Sequence, residues 1–257
     1  NIQIDDPNIW KCILFELDIA KIKKECLQSD FKLQRSDSHN FIYIILHDIK
    51  NPIYQIYKLH EYIYTNRQNN NKLLDMRDLL RNIYSLVFYI YDIKTDDIYM
   101  YDNLINEIDR IIIPPQYHTI IKFCEEDNTD DHALFYEQFY SIKQVKPNPI
   151  IHNIRDTLII EFRKISTCKT PIDKSDIIYK MIDTLQQEFA KHNKHFTTDD
   201  LLDNWLYILH QSDIDNIFIE FKYMEPFLSH KKNKYGYIIT NFEMLIHYIL
   251  QFKLDDL

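Results

Sequence analysis

One glycine in 257 residues is the first thing this sequence imposes. Phosphate loops, dinucleotide fingerprints, kinase glycine loops and nucleophile elbows all need glycine at fixed offsets, where backbone approaches a ligand or adopts positive φ. None of them can be built around Gly236 alone, so nucleotide-using enzymes of those classes are excluded. Cysteine is nearly as scarce. Cys12, Cys26, Cys124 and Cys168 lie far apart with no CxxC spacing, which predicts reduced structural thiols rather than a disulfide framework or a thiolate zinc site. His192 and His195 have the only metal-like spacing among the eleven histidines, and no HExxH pattern completes them, so a solvated helix end is expected and no metal. No apolar run reaches the length of about 18 residues that a membrane span requires. The chain begins at Asn1 rather than Met, which reads as a trimmed chain in which any targeting tail would not be visible.

Basic charge is also in deficit: 30 Lys and Arg stand against 39 Asp and Glu, a formal net charge of −9. This balance argues against nucleic acid as the main partner, because phosphate binding needs concentrated cations, and a basic protein surface suits the chain better. What is abundant is hydrophobic and aromatic residues, 46% and 14% of the chain, enough for a globular core. Ile, Lys, Asn and Tyr are frequent, as an AT-rich microbial genome would produce.

The periodicity is helical throughout. Helices are expected over residues 9–27, 41–49, 53–64, 72–91 and 102–113. Pro114 and Pro115 end the last of these, since a proline removes a donor and restricts the residue before it, and a domain boundary is placed there. The acidic run EEDNTDD at 125–131 lacks the turn glycine and alternating ligands of a calcium loop and reads as a solvated loop. A helix over 151–165 follows. KTPIDK at 169–174 then gives a specific start signal: Thr170 as N-cap, Pro171 at the first helical position and Asp173 completing a capping box. Ile177, Ile178, Met181, Ile182, Leu185 and Phe189 continue that helix on one face. Residues 216–228 are apolar nearly all round, as a central helix should be, with Pro226 bending or ending it. No repeat of solenoid period is found.

The stretch from His195 to Asn241 carries the candidate site. In HFTTDDLLDNW, Thr197 or Thr198 can serve as N-cap, and Asp199 and Asp200 fall in the first turn, where the helix dipole favours carboxylates. Leu201, Trp205, Ile208 and Leu209 bury the other face. In KYGYIITNF, Gly236 is expected to break the chain, and Thr240 or Asn241 to cap a last helix over 242–252. Read alone, the acidic pair and the Tyr237, Thr240 pair are helix caps and turn residues.

KTPIDK, TDDLLDNWLYIL at 198–209, KYMEPF at 222–227 and GYIITN at 236–241, in that order and spacing, resemble the vacuolar-protein-sorting-nine domain family of Rab guanine-nucleotide exchange factors. The resemblance covers roughly residues 150–254. It implies an all-α fold, with an N-terminal helical bundle over residues 1–113 packed on a layered multi-helix exchange-factor core over residues 114–257. It implies a Rab-five-type small GTPase as partner, no cofactor, and catalysis only in the sense of accelerated nucleotide exchange, with no covalent chemistry. Asp199 matches the family's inserted acid, aimed at the phosphate-binding lysine of the GTPase. Tyr237 and Thr240 match the pair lining the groove for the GTPase switch regions, and Asp200, Asp203 and Asn241 complete the GTPase-binding set. Asp203 stands where the family has proline, which keeps open an alternative: a non-catalytic helical module that binds a GTPase or other host protein without ejecting nucleotide. The implied setting is endosomal vesicle transport in the cytoplasm. A source in an intracellular bacterium would make the protein an effector secreted into the host cytosol.

Overall fold

A computed structural model describes residues 38–48, 51, 53–58, 61, 72–91, 98–142, 146–229 and 234–251. The described residues contain helices and turns and no strand. The chain divides into two compact units, Asn1–Pro115 and Gln116–Leu257.

In the first unit, α1 (Ser38–His47), α2 (Lys72–Ile90) and α3 (Ile98–Ile112) are the long elements, and α1 and α2 both pack on α3. The helix expected over 41–49 runs from Ser38 to His47, with Phe41, Ile42, Ile45 and Leu46 buried at the spacing of one helical face. Phe41 meets the ring of Tyr91 edge-on at 4.8 Å. The α2 stripe is core, with Met76, Leu79, Leu80, Ile83, Val87 and Ile90 all buried. Residues 53–58 are helical, started by Asn51, whose side-chain oxygen accepts from the Ile53 N–H at 2.9 Å. The helix expected over 102–113 begins four residues earlier, at Ile98. The helix expected over 9–27 lies outside the described residues.

In the second unit, α4 (Tyr117–Asp127) and α5 (Thr129–Ser141) share a single corner residue, Asn128. The acidic run at 125–131 is therefore not a loop. Asn128 turns the chain by bonding its side chain back to the Cys124 carbonyl at 2.9 Å, and the acids on either side stay helical and solvated. The helix expected over 151–165 is also shorter than its pattern. A 3-10 turn at Pro149–Ile151 precedes α6 (Arg155–Arg163), and a second at Lys164–Ser166 follows it.

Next come α7 (Pro171–Lys191), α8 (Thr198–Ser212), α9 (Ile217–Leu228) and α10 (Lys234–Gln251). α7 starts as KTPIDK announced: Thr170 Oγ accepts from the Asp173 N–H at 3.1 Å and pairs with its carboxylate at 2.7 Å, with Pro171 first in the helix. α9 is the centre, packed by α4, α5, α7 and α10. Pro226 does not end α9, which continues to Leu228; the one backbone bond that a proline forgoes is outweighed by the packing of this central helix. Two helices end on left-handed residues, Asn193 (φ 52°) and Asp213 (φ 51°). With one glycine available, asparagine and aspartate take the positions that glycine usually fills. At Asn193 the closure is complete: Asn193 N–H bonds to Ala190 O and Lys194 N–H to Phe189 O, both at 3.0 Å.

Candidate functional site

α8 begins with a reciprocal cap. Thr197, extended at φ −101° and ψ 170°, accepts from the Asp200 N–H on its Oγ at 3.1 Å. Asp200 Oδ2 accepts in return from the Thr197 N–H at 3.0 Å and from Thr197 Oγ at 2.7 Å. Its other oxygen, Oδ1, accepts from Asn148 Nδ2 at 3.3 Å. Both oxygens of Asp200 are thus committed to holding the helix start. Asp199, one residue earlier, is exposed and has no hydrogen bond or ion pair with any described residue. The two aspartates, equivalent in the sequence, are separated by the fold into a cap and a free acid. Asp203 lies one turn on from Asp199, also exposed. Partial burial, with Asp199 and Asp200 adding like charge, pushes its carboxyl above the usual range.

Gly236 does not break the chain. It lies in the first turn of α10, where the N–H groups have no partner within the helix and a glycine is least disruptive, and no glycine has positive φ. α10 consequently starts eight residues before the expected 242, and Thr240 and Asn241 are interior residues rather than caps. Tyr237 is 50% exposed and Thr240 is exposed beside it on the next turn. Asn241 is 8% exposed, and its Nδ2 donates to the Tyr237 carbonyl at 2.7 Å, bracing the backbone under Tyr237. The exposed side of α10 continues through Met244 and Tyr248.

The two site helices are joined by their buried faces. Trp205 of α8 and Phe242 of α10, both fully buried, lie 5.2 Å apart between ring centroids, and Phe242 also meets Phe221 of α9 at 5.2 Å. Burying side chains of this size stabilises by roughly 2–3 kcal/mol each, so the junction is a firm one. It leaves Asp199 and Asp203 on the open side of α8, and Tyr237 and Thr240 on the open side of α10.

Several structural residues went unread in the sequence. Lys174 is 0% exposed, its Nζ 2.9 Å from Glu220 Oε2, 2.6 Å from the Ile165 carbonyl and 3.5 Å from the Tyr117 hydroxyl. Tyr117 donates to Glu220 Oε1 at 2.7 Å, closing the cluster. Burial pulls the Lys174 amine down while Glu220 opposes that shift. The signal was available: Lys174 precedes Ile177 and Ile178 by three and four positions, on the buried stripe of its helix. Asn148 and Asn204 were likewise missed, although Asn204 falls between Leu201 and Ile208 on the core face.

Among the described residues no group of three His, Cys, Asp or Glu could hold a metal ion. Burial pushes the Cys124 thiol up to about 12 and also raises Cys168, so neither supplies a thiolate at neutral pH. Cys12 and Cys26 lie outside the described residues. No helix among the described residues is long and apolar enough to cross a membrane.

Among the described residues, the helices present exposed acids on α8 and an exposed tyrosine on α10, an all-α arrangement suited to contact with another protein. Residues 155–254 match the family model of the Vacuolar sorting protein 9 (VPS9) domain. That domain implies guanine-nucleotide exchange activity towards a small GTPase of the Rab family. No curated protein matches the chain.

Proposed function

We propose that residues 114–257 form an exchange-factor core acting on Rab-five-type GTPases, with Asp199 as the residue that loosens the nucleotide and residues 1–113 as a separate helical bundle. The observation that carries this is the division of labour at the start of α8. Asp200 is saturated by Thr197 and Asn148, whereas Asp199 is exposed and unpartnered. A small GTPase holds the β-phosphate of GDP through the lysine of its phosphate loop. A carboxylate delivered to that lysine competes with the phosphate for a charge-assisted pair, and nucleotide affinity falls. A thousandfold faster release needs about 4 kcal/mol of relative stabilisation, within reach of one well-placed carboxylate plus burial of the switch regions. The net charge of −9 favours encounter with a basic patch.

Tyr237 and Thr240 take the switch regions in this reading, Asp203 adds a second acid to the contact, and Asp200 and Asn241 support their neighbours from within. The work is done near endosomes, on the cytosolic face where these GTPases act. The test is release of fluorescent GDP from a Rab-five-type GTPase with the protein at substoichiometric amounts. The parent accelerates release, and Asp199→Ala loses about a hundredfold or more while melting at the parent temperature. Equal rates for Asp199→Ala and parent refute the role of Asp199.

Asp203 supports a second reading. It places a carboxylate with a raised pKa where the family has proline, and that change could leave a module that binds the GTPase without ejecting nucleotide. Binding that titrates stoichiometrically with no faster release would establish that reading instead.

A further inference from the structure

The start of α8 is tied to a residue that lies outside the matched segment 155–254. Pro147 and Pro149 bracket Asn148 and restrict its backbone, which is extended at φ −58° and ψ 131°. Its side-chain oxygen accepts from the Ile150 N–H at 3.1 Å, which fixes the amide so that Nδ2 faces Asp200 Oδ1 at 3.3 Å. Its own backbone N–H donates to Asn204 Oδ1 at 3.3 Å, and Asn204 Nδ2 donates to the Asp200 carbonyl at 2.6 Å. Three residues therefore close a ring, Asn148 to Asn204 to Asp200 and back, with Asn204 at 0% exposure. Every amide oxygen in the ring faces an N–H and every amide nitrogen faces an oxygen, so no member can turn over without losing a bond.

We infer that Asn148 is a positioning residue for exchange: through Asp200 and Asn204 it holds the first turn of α8, and with it the direction of Asp199. The inference rests on the exchange reading of Asp199. The reciprocal Thr197 and Asp200 cap forms the helix by itself, within one segment of chain. What Asn148 adds is a tether from that turn to a separate, proline-stiffened segment, and so a fixed bearing relative to the unit's core. An acid that must reach a particular lysine in the transition state depends on such a bearing more than initial docking does, so loss of the tether acts on kcat and leaves KM nearly unchanged.

Two full-chain variants test this. Asn148→Ala removes the donor. Asn148→Asp keeps the acceptor for Ile150 N–H and the backbone donor to Asn204, but sets a carboxylate against Asp200. Exchange on a Rab-five-type GTPase is measured as a ratio to the parent at each pH, which cancels the unchanged Asp199 and Asp203 on α8, Lys146 beside the segment, and Arg155 and Asp156 on α6. Both variants are expected to lose about tenfold to a hundredfold in kcat near neutrality, with KM within about twofold. The Asn148→Asp ratio recovers as pH falls, because a proton shared between two facing carboxylates restores a donor, and the Asn148→Ala ratio does not. A merely structural role would lower the melting temperature and, through the active fraction, the apparent kcat, so rates are taken per folded molecule, where such a role leaves kcat and KM parental and gives no pH-dependent ratio.

Parental kcat in both variants, or a flat ratio for Asn148→Asp, overturns the inference. Should Asn148→Ala fail to fold, Asn148→Asp decides alone. Amide hydrogen exchange over residues 198–201 separates this inference from the reading beneath it. A parent inert on the GTPase defeats the exchange reading, and faster amide exchange in the variants then still upholds the tether, whereas unchanged amide exchange overturns it.

Discussion

Replacing Lys174 by methionine should destabilise the second unit more than any other single change away from its aromatic core. The ammonium is wholly enclosed and is held by Glu220 at 2.9 Å, the Ile165 carbonyl at 2.6 Å and the Tyr117 hydroxyl at 3.5 Å. Methionine keeps the volume and removes the charge, leaving the Glu220 carboxylate in a nearly dry site with only the Tyr117 donor at 2.7 Å. Breaking a buried ion pair from one side costs about 3–5 kcal/mol, a large part of the roughly 5–15 kcal/mol available to a domain. With a urea slope of about 2 kcal/mol/M, the unfolding midpoint falls by about 1.5–2.5 M. Circular dichroism and the fluorescence of buried Trp205 follow the transition. Combining Lys174→Met with Glu220→Gln should restore most of the loss, because no unpaired charge remains and the Tyr117 hydroxyl still finds an acceptor. A single-variant cost below about 1 kcal/mol would refute the argument, since it would mean that water reaches this cluster.

Thr197→Ala removes the acceptor for the Asp200 N–H and half of the cap; about 1 kcal/mol, read as a melting temperature lower by roughly 3–5 °C, is expected. Asp203→Asn should do the opposite at neutral pH. The folded carboxyl binds its proton more readily than the unfolded chain's, through burial and then Asp199 and Asp200, so ionised Asp203 weakens the fold. Removing the i, i+4 repulsion from Asp199 gains about 0.2–0.5 kcal/mol, a gain that disappears as pH falls through the carboxyl's titration. Denaturant midpoints at neutral and acid pH check this. His210 stacks on Phe139 at 4.0 Å between centroids, and burial holds its imidazole below the ordinary value. The unfolded chain then binds the proton more tightly, so stability is full above the ordinary histidine value of about 6.5 and declines as pH drops below it. Histidine-to-phenylalanine replacement at 210 should flatten that acid limb of a thermal-melt series.

Much of this was legible because helices announce themselves through local chemistry. The Thr170, Pro171 and Asp173 start, the α2 stripe and the Thr197 cap are each set by residues within one or two turns of one another. Gly236 misled for a physical reason: a glycine signals an end only when its backbone needs positive φ, and here it sits in a first turn with ordinary helical geometry. The EEDNTDD corner misled similarly, since one asparagine bonded to a carbonyl four residues back suffices to turn the chain. What periodicity could not give is tertiary: that Asn148 reaches Asp200 across 52 positions, or that Glu220 and Tyr117 meet across 103. The free state of Asp199 follows from the first of these, because only the fold shows which of two adjacent acids is already occupied.

α8 is fastened at both extremities. Asn148 grips its first turn, and at the far end Arg163 of α6 donates from Nε to the Ser212 carbonyl at 2.9 Å and from Nη2 to the Gln211 carbonyl at 3.0 Å. Fifteen helical residues make a rod of about 22 Å, short enough that it does not flex appreciably under load. Anything pushing against the Asp199 tip therefore meets an anvil rather than a spring. In such an encounter the softer body yields, and the deformation is delivered to the visitor's loops instead of being absorbed by the host.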